Sequence, residues 1–233
     1  MTGISEQVGH MLPEPQAAEL LASCGIPYVE HSVADSAAAA AEVAGRIGYP
    51  VVLKVVSPDV VHKTEAGGVL IGLKDEGAVR EGFDELLETV RAGCPGARVD
   101  GVLVCRQVTA RRELIVGAIH DATFGPTVMV GLGGVFAEAL SDVVFRPAPL
   151  RRQDALEMPE ELQGARLLAG FRGEQPVDLE QVAEILVKVG DLLVSHPEIS
   201  EIDLNPVAVA ADGCVALDAR VIVMAERDQP GPA

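Results

Sequence analysis

The chain has 233 residues, of which 48% are hydrophobic and 3% aromatic, and its formal net charge is −17. So acidic a chain disfavours nucleic acid and anionic membranes as partners, and the lack of Trp disfavours a platform on which bases stack. No apolar run approaches the ~20 residues of a membrane span, and the N-terminus lacks a signal-peptide core, so we expect a soluble cytoplasmic protein. The absence of any CxxC pair favours buried thiols over disulfides or a zinc site at Cys24, Cys94, Cys105 and Cys214.

Helix and strand patterns alternate through the first hundred residues. The helical segments begin near residues that can cap a helix or end near a glycine, and the strands are rich in β-branched residues. The predicted elements are a helix at 12–23 ending at Gly25, a short strand in "IPYVEH", a helix capped by Asp35 or Ser36 that runs to about Ile47, strands at 51–56 and 68–73, and a helix from Glu76 to Arg91 capped by Asp75.

The second half begins after the loop "AGCPGARVDG" and is richer in strands. Its predicted elements are the strands "GVLVCRQV", "ELIVGAIH" and "PTVMVGLG", short helical pieces from Asp154 to Phe171, a helix from Leu179 to about Ser195 capped by Asp178, and two final strands around an Asp212-Gly213 turn. The pattern predicts an α/β (α+β) protein. We expect lobes at 12–100 and 101–225, with tails at 1–11 and 226–233.

A lysine, Lys54, lies in the middle of the apolar strand "VVLKVV". Strand lysines are common at sheet edges with the ammonium in water, but a cation on a rigid strand can also bind a phosphate oxygen. The next residues with chemical potential are His62, Lys63, Thr64, Gly67 and Gly68. A glycine pair lets backbone N–H groups approach an anion, and a neutral imidazole can attack a phosphoryl group. The segment is a candidate polyphosphate site.

A second glycine cluster, "GLGG" at 131–134, is a weak signal because such patterns also form ordinary bulges and turns. No strand-turn-long-helix unit surrounds it, so it is not a dinucleotide fingerprint. The polar residues after it, Glu138, Asp142 and Arg146, are typical of a solvated face.

The segment "EIDLNP" places Glu201, Asp203 and Asn205 on one strand face, because they alternate with apolar residues. If Asp212-Gly213 is a two-residue turn, paired residue numbers sum to 425, which places Asp218 diagonally across from Asn205. Oxygen ligands beside a polyphosphate suit Mg²⁺. The alternative is a polar, solvent-facing side of a hairpin.

Taken together, these motifs resemble the ATP-grasp domain of the ADP-forming acyl-CoA synthetases, relatives of succinyl-CoA synthetase. The resemblance covers about residues 12–223. It rests on "GIP" at 25–27, "PVVLKVVSPDVVHKTEAGGV" at 50–69, "RELIVG" at 112–117, "FGP" at 124–126, "GLGGVF" at 131–136, "FRPAPL" at 145–150, "EIDLNP" at 201–206 and "ALDAR" at 216–220.

The resemblance implies two lobes with a nucleotide cleft between them and a histidine, His62, that relays a phosphoryl group. It implies ATP or ADP and Mg²⁺ as ligands. The implied ATP-binding residues are Lys54, Lys63, Thr64, Gly67, Gly68, Cys105, Gln107, Glu113, Gly133 and Gly134, and the implied metal ligands are Asn205, Asp218 and Asp203.

Two features separate this chain from the full enzymes of that family. The segment between the lobes usually carries an acidic residue, and here position 106 is an arginine, Arg106. The chain also has no CoA-binding Rossmann segment and no second catalytic-histidine domain. The resemblance therefore implies a β subunit in a hetero-oligomer with a CoA-binding α subunit that carries the second catalytic histidine. Together they would make acyl-CoA reversibly from a carboxylic acid, CoA and ATP.

Two other functions stay open from the sequence. A non-catalytic nucleotide-binding regulatory module would fit Arg106 and the missing subunit. An ATP-dependent carboxylate–amine ligase would fit the fold, but such a ligase phosphorylates its substrate directly and does not need His62.

Overall fold

The computed structural model describes residues 9–134, 142–170, 175–210 and 213–224, which divide into two compact units. The smaller unit comprises Pro13–Gln16 and Val29–Val108. The larger comprises the described residues of Met1–Leu12, Ala17–Tyr28 and Thr109–Ala233. The division between the units follows Val108, eight residues after the boundary expected from the sequence, because strand 101–106 pairs within the sheet of the smaller unit.

The smaller unit is built on a sheet that has four antiparallel strands among the described residues, in the order β2-β5-β3-β4. Two helices pack on one face of this sheet and bury alternate strand residues such as Leu53, Val55, Val102 and Val104. The elements are β2 (His31–Ala34), α2 (Ala37–Ile47), β3 (Val51–Val56), β4 (Val69–Leu73), α3 (Glu76–Gly93) and β5 (Gly101–Arg106).

Both helices begin where the sequence predicts. The Ser36 side chain accepts a hydrogen bond from the N–H of Ala39 at 3.3 Å, and Asp75 accepts one from Ala78 at 2.9 Å. These caps satisfy donors that would otherwise lack a partner in the first turn. The strand predicted in "IPYVEH" is displaced: β2 begins at His31, the last residue of that segment.

The larger unit contains a second antiparallel sheet, in which the described strands run β1-β11-β9-β6-β7-β8 and β10 also pairs with β9. Its core lies between this sheet and the helices. The elements are β1 (His10–Met11), α1 (Glu14–Ser23, whose first residues count with the smaller unit), β6 (Arg112–Asp121), β7 (Gly125–Leu132), β8 (Val143–Pro147), α4 (Arg152–Glu160), α5 (Ala165–Leu168), α6 (Leu179–Ser195), β9 (Ile199–Ala210), β10 (Gly213–Ala216) and β11 (Ala219–Val223).

Several predictions for this unit need correction. The predicted N-terminal tail includes β1, because His10 and Met11 pair with β11. The segment "VVFRP" at 143–147, which carried no strand prediction, pairs with β7 as β8. Phe171, Asp212 and residues 226–233 lie outside the described part of the chain.

The cysteines behave as the sequence predicts. All four are free; Cys105 and Cys214 are buried, and the other two are partly buried. Burial, together with the nearby charge of Asp178, raises the pKa of the Cys214 thiol to about 11. Within the described residues no helix is long and apolar enough to cross a membrane.

Asp142 is buried rather than solvated, contrary to the sequence-based expectation. Its two carboxylate oxygens accept hydrogen bonds from the backbone N–H groups of Gln163 and Gly164, each at 2.8 Å. The carboxylate therefore fixes the connection between α4 and α5. Arg146 forms an exposed ion pair with Glu161, and Glu138 lies outside the described residues.

We expect Asp142→Ala to lower the free energy of unfolding by about 2–4 kcal/mol, because two backbone donors lose their acceptor in a buried environment. Asp142→Asn keeps one amide oxygen as acceptor and should cost less. Urea denaturation of the three proteins measures both effects. A loss below about 0.5 kcal/mol for the alanine variant would mean that water replaces the carboxylate without cost.

Candidate functional site

Lys54 lies in an interior strand, not at a sheet edge. β3 pairs with both β4 and β5, and Lys54 is opposite Val69 and Leu103. Its neighbours in sequence pack against the helices, so alternation directs Lys54 to the other face of the sheet. The residue is only 7% exposed. The edge-strand alternative is thereby excluded, and a buried cation requires a partner.

That partner is Glu14, in the first turn of α1. One carboxylate oxygen of Glu14 accepts a hydrogen bond from the Lys54 ammonium at 2.7 Å, and the other accepts one from Lys63. Burial alone raises the pKa of Glu14, but the two ammonium groups outweigh it and lower the pKa to about 2. Glu14 is therefore an anion at any working pH, and it brings the two predicted phosphate-binding lysines together.

The glycine pair has a different role from the one predicted. The Gly67 N–H donates to the carbonyl of Thr64 at 3.2 Å, and the Gly68 N–H donates to the carbonyl of Lys63 at 2.7 Å. Gly67 has a φ of +68°, and a Cβ on Gly68 would lie 2.6 Å from a methyl carbon of Val55. The prediction that these amides point at an anion is wrong for this structure: the glycines shape the turn itself.

His62 lies at the start of this turn and is exposed. Its carbonyl accepts a hydrogen bond from the Ala66 N–H at 3.1 Å. The preceding loop is anchored by the buried side chain of Val60 and by Asp59, which accepts a hydrogen bond from the Arg98 N–H at 2.7 Å. An exposed imidazole on an anchored loop is accessible to a reacting group.

The remaining candidates of the smaller unit lie at the end of β5. Cys105 is buried, and the side-chain oxygen of Gln107 accepts a hydrogen bond from the Gly72 N–H at 2.8 Å, which ties β4 to this segment. Arg106 forms an exposed ion pair with Glu30. A carboxylate therefore lies beside position 106 after all, supplied by the segment before β2.

In the larger unit, Glu113 and the second glycine cluster lie together. The Gly133 N–H donates to the carbonyl of Glu113 at 2.7 Å. A Cβ on Gly133 would lie 2.8 Å from the Glu113 backbone, and Gly134 has a φ of +68°. The glycines therefore allow the chain to turn tightly against the strand that carries Glu113.

The C-terminal strands pair in a register different from the predicted one. Gly213 pairs with Ala210, so it belongs to β10 rather than to the turn. Paired residue numbers sum to 423 instead of 425, and Arg220 pairs with Asp203, not with Asn205. Asn205 and Asp218 are not themselves a strand pair; they lie between the pair Leu204–Ala219 and the hydrogen bond from the Leu217 N–H to the Pro206 carbonyl at 2.9 Å. Neighbouring segments therefore carry the two residues, which favours a shared ligand.

Asp203 lies between charged groups. Burial is the main cause that raises the pKa of its carboxyl; the charges of Glu201 and Asp218 raise it further, and Arg220 opposes them. Arg220 lies 3.6 Å from a carboxylate oxygen of Glu201, and its buried Nε atom has no hydrogen-bond partner among the residues that the structure describes.

The oxygen donors of Asn205, Asp218 and Asp203 fit Mg²⁺, which prefers carboxylate and carbonyl oxygens and keeps several waters. A carboxyl with a raised pKa, close to other carboxylates, is a group that a divalent cation would stabilise in its ionised form. Asp203 and Asn205 also line a cavity of about 380 Å³ on this sheet face, so a ligand can reach them. Within the described residues, no three His, Cys, Asp or Glu side chains form a metal cluster.

We expect Asp203→Asn to stabilise the metal-free protein at pH 7. A raised pKa means that folding favours the protonated carboxyl, so its contribution to stability is present below the unfolded pKa and is lost as the pH rises through the folded pKa. The amide cannot ionise, and the thermal midpoint at pH 7 should rise by about 1–3 °C. Thermal unfolding between pH 7 and about pH 4 should show this gain shrinking as the pH falls toward 3.8, the ordinary pKa of an aspartic acid. A gain independent of pH would contradict the electrostatic cause.

Glu14 is the residue that sequence reasoning missed. Its position in α1 carried a signal, because Glu14, Ala17, Ala18 and Leu21 have helical spacing and all are buried. A carboxylate within an apolar helix stripe requires a buried cation. Which cation it meets is not visible in the local sequence, since Lys54 is 40 residues away.

Comparison with known proteins gives a consistent result. Residues 4–223 match a family model described as an ATP-grasp domain. The chain is 48% identical over 212 residues to the acetate–CoA ligase [ADP-forming] I subunit beta of Pyrococcus furiosus, covering 91% of each chain. It is 45% identical to the acetate–CoA ligase [ADP-forming] I of Archaeoglobus fulgidus, covering 88% of this chain but only 30% of that longer one.

Solved structures agree. The acetyl-coenzyme A synthetase 1 of Candidatus Korarchaeum cryptofilum, in complex with coenzyme A and Ca-AMPCP, matches with a TM-score of 0.89 and 44% identity over 92% of this chain and 93% of that one. Another structure of that enzyme holds coenzyme A and Mg-AMPPCP, with a phosphohistidine segment pointing towards the nucleotide binding site. It matches with a TM-score of 0.79 and 41% identity over 91% of this chain and 92% of that one.

Proposed function

Because the chain belongs to the ATP-grasp family, among the β subunits of ADP-forming acetate–CoA ligases, we propose that it relays a phosphoryl group between ATP and a partner subunit through His62. The observation that carries the proposal is local. Two lysines, Lys54 and Lys63, meet at Glu14, and Lys63 follows directly after an exposed histidine. This arrangement suits a polyphosphate whose terminal group is passed to an imidazole.

The transfer step follows from these residues. A nitrogen of the neutral His62 imidazole attacks the γ-phosphorus of ATP; the N–P bond forms as the bond to the bridging oxygen breaks, and ADP leaves with that electron pair. Lys54 and Lys63 neutralise charge on the phosphates, and Asn205, Asp218 and Asp203 would hold Mg²⁺. The metal, when bound, neutralises further charge on the phosphate oxygens. The step reverses when ADP takes the phosphoryl group back.

Nucleotide contacts are assigned to Thr64, Cys105, Gln107, Glu113, Gly133 and Gly134, and Gly67 and Gly68 are assigned to the turn of the site. The two glycines of the first turn act by shaping it, since their own N–H groups bond within it. The partner is a CoA-binding α subunit whose histidine receives the phosphoryl group and activates a carboxylic acid as an acyl phosphate. The thiol of CoA then displaces phosphate from the acyl phosphate, so the complete reaction makes acyl-CoA with release of ADP and inorganic phosphate, and it is reversible.

Isotope exchange in the purified chain tests the relay. With Mg²⁺ and ATP present, but no acid and no CoA, label from radioactive ADP should appear in ATP, because a covalent phosphohistidine connects the two nucleotides. Omitting Mg²⁺ is the control. A carboxylate–amine ligase has no such exchange without its acid, and a regulatory module has none at all. Nucleotide binding without exchange would therefore refute the relay in this chain.

A further inference from the structure

Glu14 connects Lys54 and Lys63, the two cations that bind the phosphates in the proposed function. The carboxylate is 5% exposed and contacts both ammonium groups, one through each oxygen. Two like charges are thus held within reach of one carboxylate. The cluster of Glu14, Lys54 and Lys63 carries a net charge of +1, whereas the two lysines alone would carry +2.

The two lysines differ in how firmly the fold holds them. Lys54 is fixed on an interior strand, and its side chain is 9% exposed. Lys63 lies in the turn after His62, with a side chain that is 15% exposed. If the carboxylate were removed, the ammonium groups would repel each other, and Lys63 is the one that can move toward water.

We propose that Glu14 is a positioning residue that holds the Lys63 ammonium beside Lys54, so that a polyphosphate meets two cations at once. The inference rests on the proposed function, because it requires that these lysines bind phosphates. Glu14 itself is an anion and does not bind the nucleotide; it acts through Lys63.

Stability alone is a poor explanation for this cluster. Buried ion pairs can often be replaced by apolar residues without loss of stability, because desolvation offsets their attraction. A positioning role makes a different prediction. The loss of affinity on removing the Glu14 carboxylate should depend on how many phosphates the ligand carries. Removing the carboxylate should have no further effect on affinity when Lys63 is already absent.

Calorimetric titration of the full chain with Mg·ATP, Mg·ADP and AMP tests the inference. We expect Glu14→Gln to weaken binding of ATP and ADP about tenfold and of AMP less than threefold, similar to Lys63→Met. The double variant Glu14→Gln/Lys63→Met should bind ATP no more weakly than either single variant. Glu14→Asp, which keeps the charge on a shorter stem, should fall between wild type and Glu14→Gln. Glu19→Gln removes the same charge from an exposed position of the same helix and is the control.

Three results would overturn the inference: binding by Glu14→Gln equal to that by Glu19→Gln, equal weakening of AMP and ATP, or a double variant that shows the product of the single effects. If Glu14→Gln does not fold, Glu14→Asp provides the test instead. A Glu14→Asp variant with full ATP affinity would also refute the inference. Lys54→Met separates the two hypotheses. If it leaves ATP affinity unchanged, the proposed function fails; if it weakens ATP while Glu14→Gln does not, only the role of Glu14 fails.

Discussion

Replacing His62 with alanine should abolish covalent labelling of the chain by γ-labelled ATP. The imidazole is the proposed acceptor of the phosphoryl group, and alanine offers no nucleophile in its place. We expect the wild-type chain, quenched in base, to carry label that is stable in base and lost in acid, as a phosphohistidine is. In His62→Ala this label should be absent, and exchange between ADP and ATP should fall by at least about 10³-fold.

The best matched control is His120→Ala. His120 is also exposed, but it lies near the end of β6 in the larger unit, and it has no proposed role. This variant should keep full labelling and exchange. If His62→Ala retained the label, or if both variants lost it equally, His62 would not be the acceptor. Nucleotide titration of His62→Ala completes the test, because ATP should still bind to the lysines and the loss should be confined to transfer.

The helices were predictable from the sequence because their signals are local. Helix α6 has the predicted bounds of Leu179 and Ser195, with Asp178 as its cap. In α3 the apolar residues recur at helical spacing between the Asp75 cap and the C-terminal end. Each signal involves residues within one or two turns of each other, so no knowledge of the rest of the fold is needed.

The pairing of strands was less predictable, because it depends on distant residues. An Asp212-Gly213 turn predicts paired residue numbers that sum to 425, whereas Gly213 pairs with Ala210 and the sum is 423. Strand β5 follows a loop that resembles a boundary, yet it pairs with β2 and β3 of the smaller unit. A sequence pattern specifies which residues of a strand are buried, but not which strand lies beside it.

The site shows the same limit. The sequence indicated both lysines, but their meeting depends on Glu14, which comes from a different element and a distant position. The glycine pair was correctly expected at a turn, but the direction of its N–H groups depends on which carbonyls that turn brings near. The chemical type of a residue was predictable, whereas its partner was a property of the fold.

Replacing a proposed Mg²⁺ ligand should also cause a large loss of activity. Asn205→Ala and Asp218→Ala should each lower the rate of ADP–ATP exchange at a fixed Mg²⁺ concentration by about 10²–10³-fold, because a metal that neutralises phosphate charge contributes several kcal/mol to the transition state. Neighbouring segments carry the two residues, between the pair Leu204–Ala219 and the hydrogen bond from Leu217 to Pro206, so we expect both to act on one ion. The double variant should therefore be little slower than either single variant.

Titration with Mg²⁺ distinguishes a ligand from a residue that only supports the hairpin. Asp218→Asn keeps an oxygen but loses the charge, so it should need a higher Mg²⁺ concentration for half-maximal exchange and then recover part of the rate. Asp191→Asn, at an exposed position of α6 in the same unit, should need no more Mg²⁺ than wild type. If Asp218→Asn showed an unchanged Mg²⁺ requirement and a lower rate at every concentration, Asp218 would not be a ligand. If the double variant Asn205→Ala/Asp218→Ala lost the product of the two single effects, the residues would act at separate places rather than on one ion.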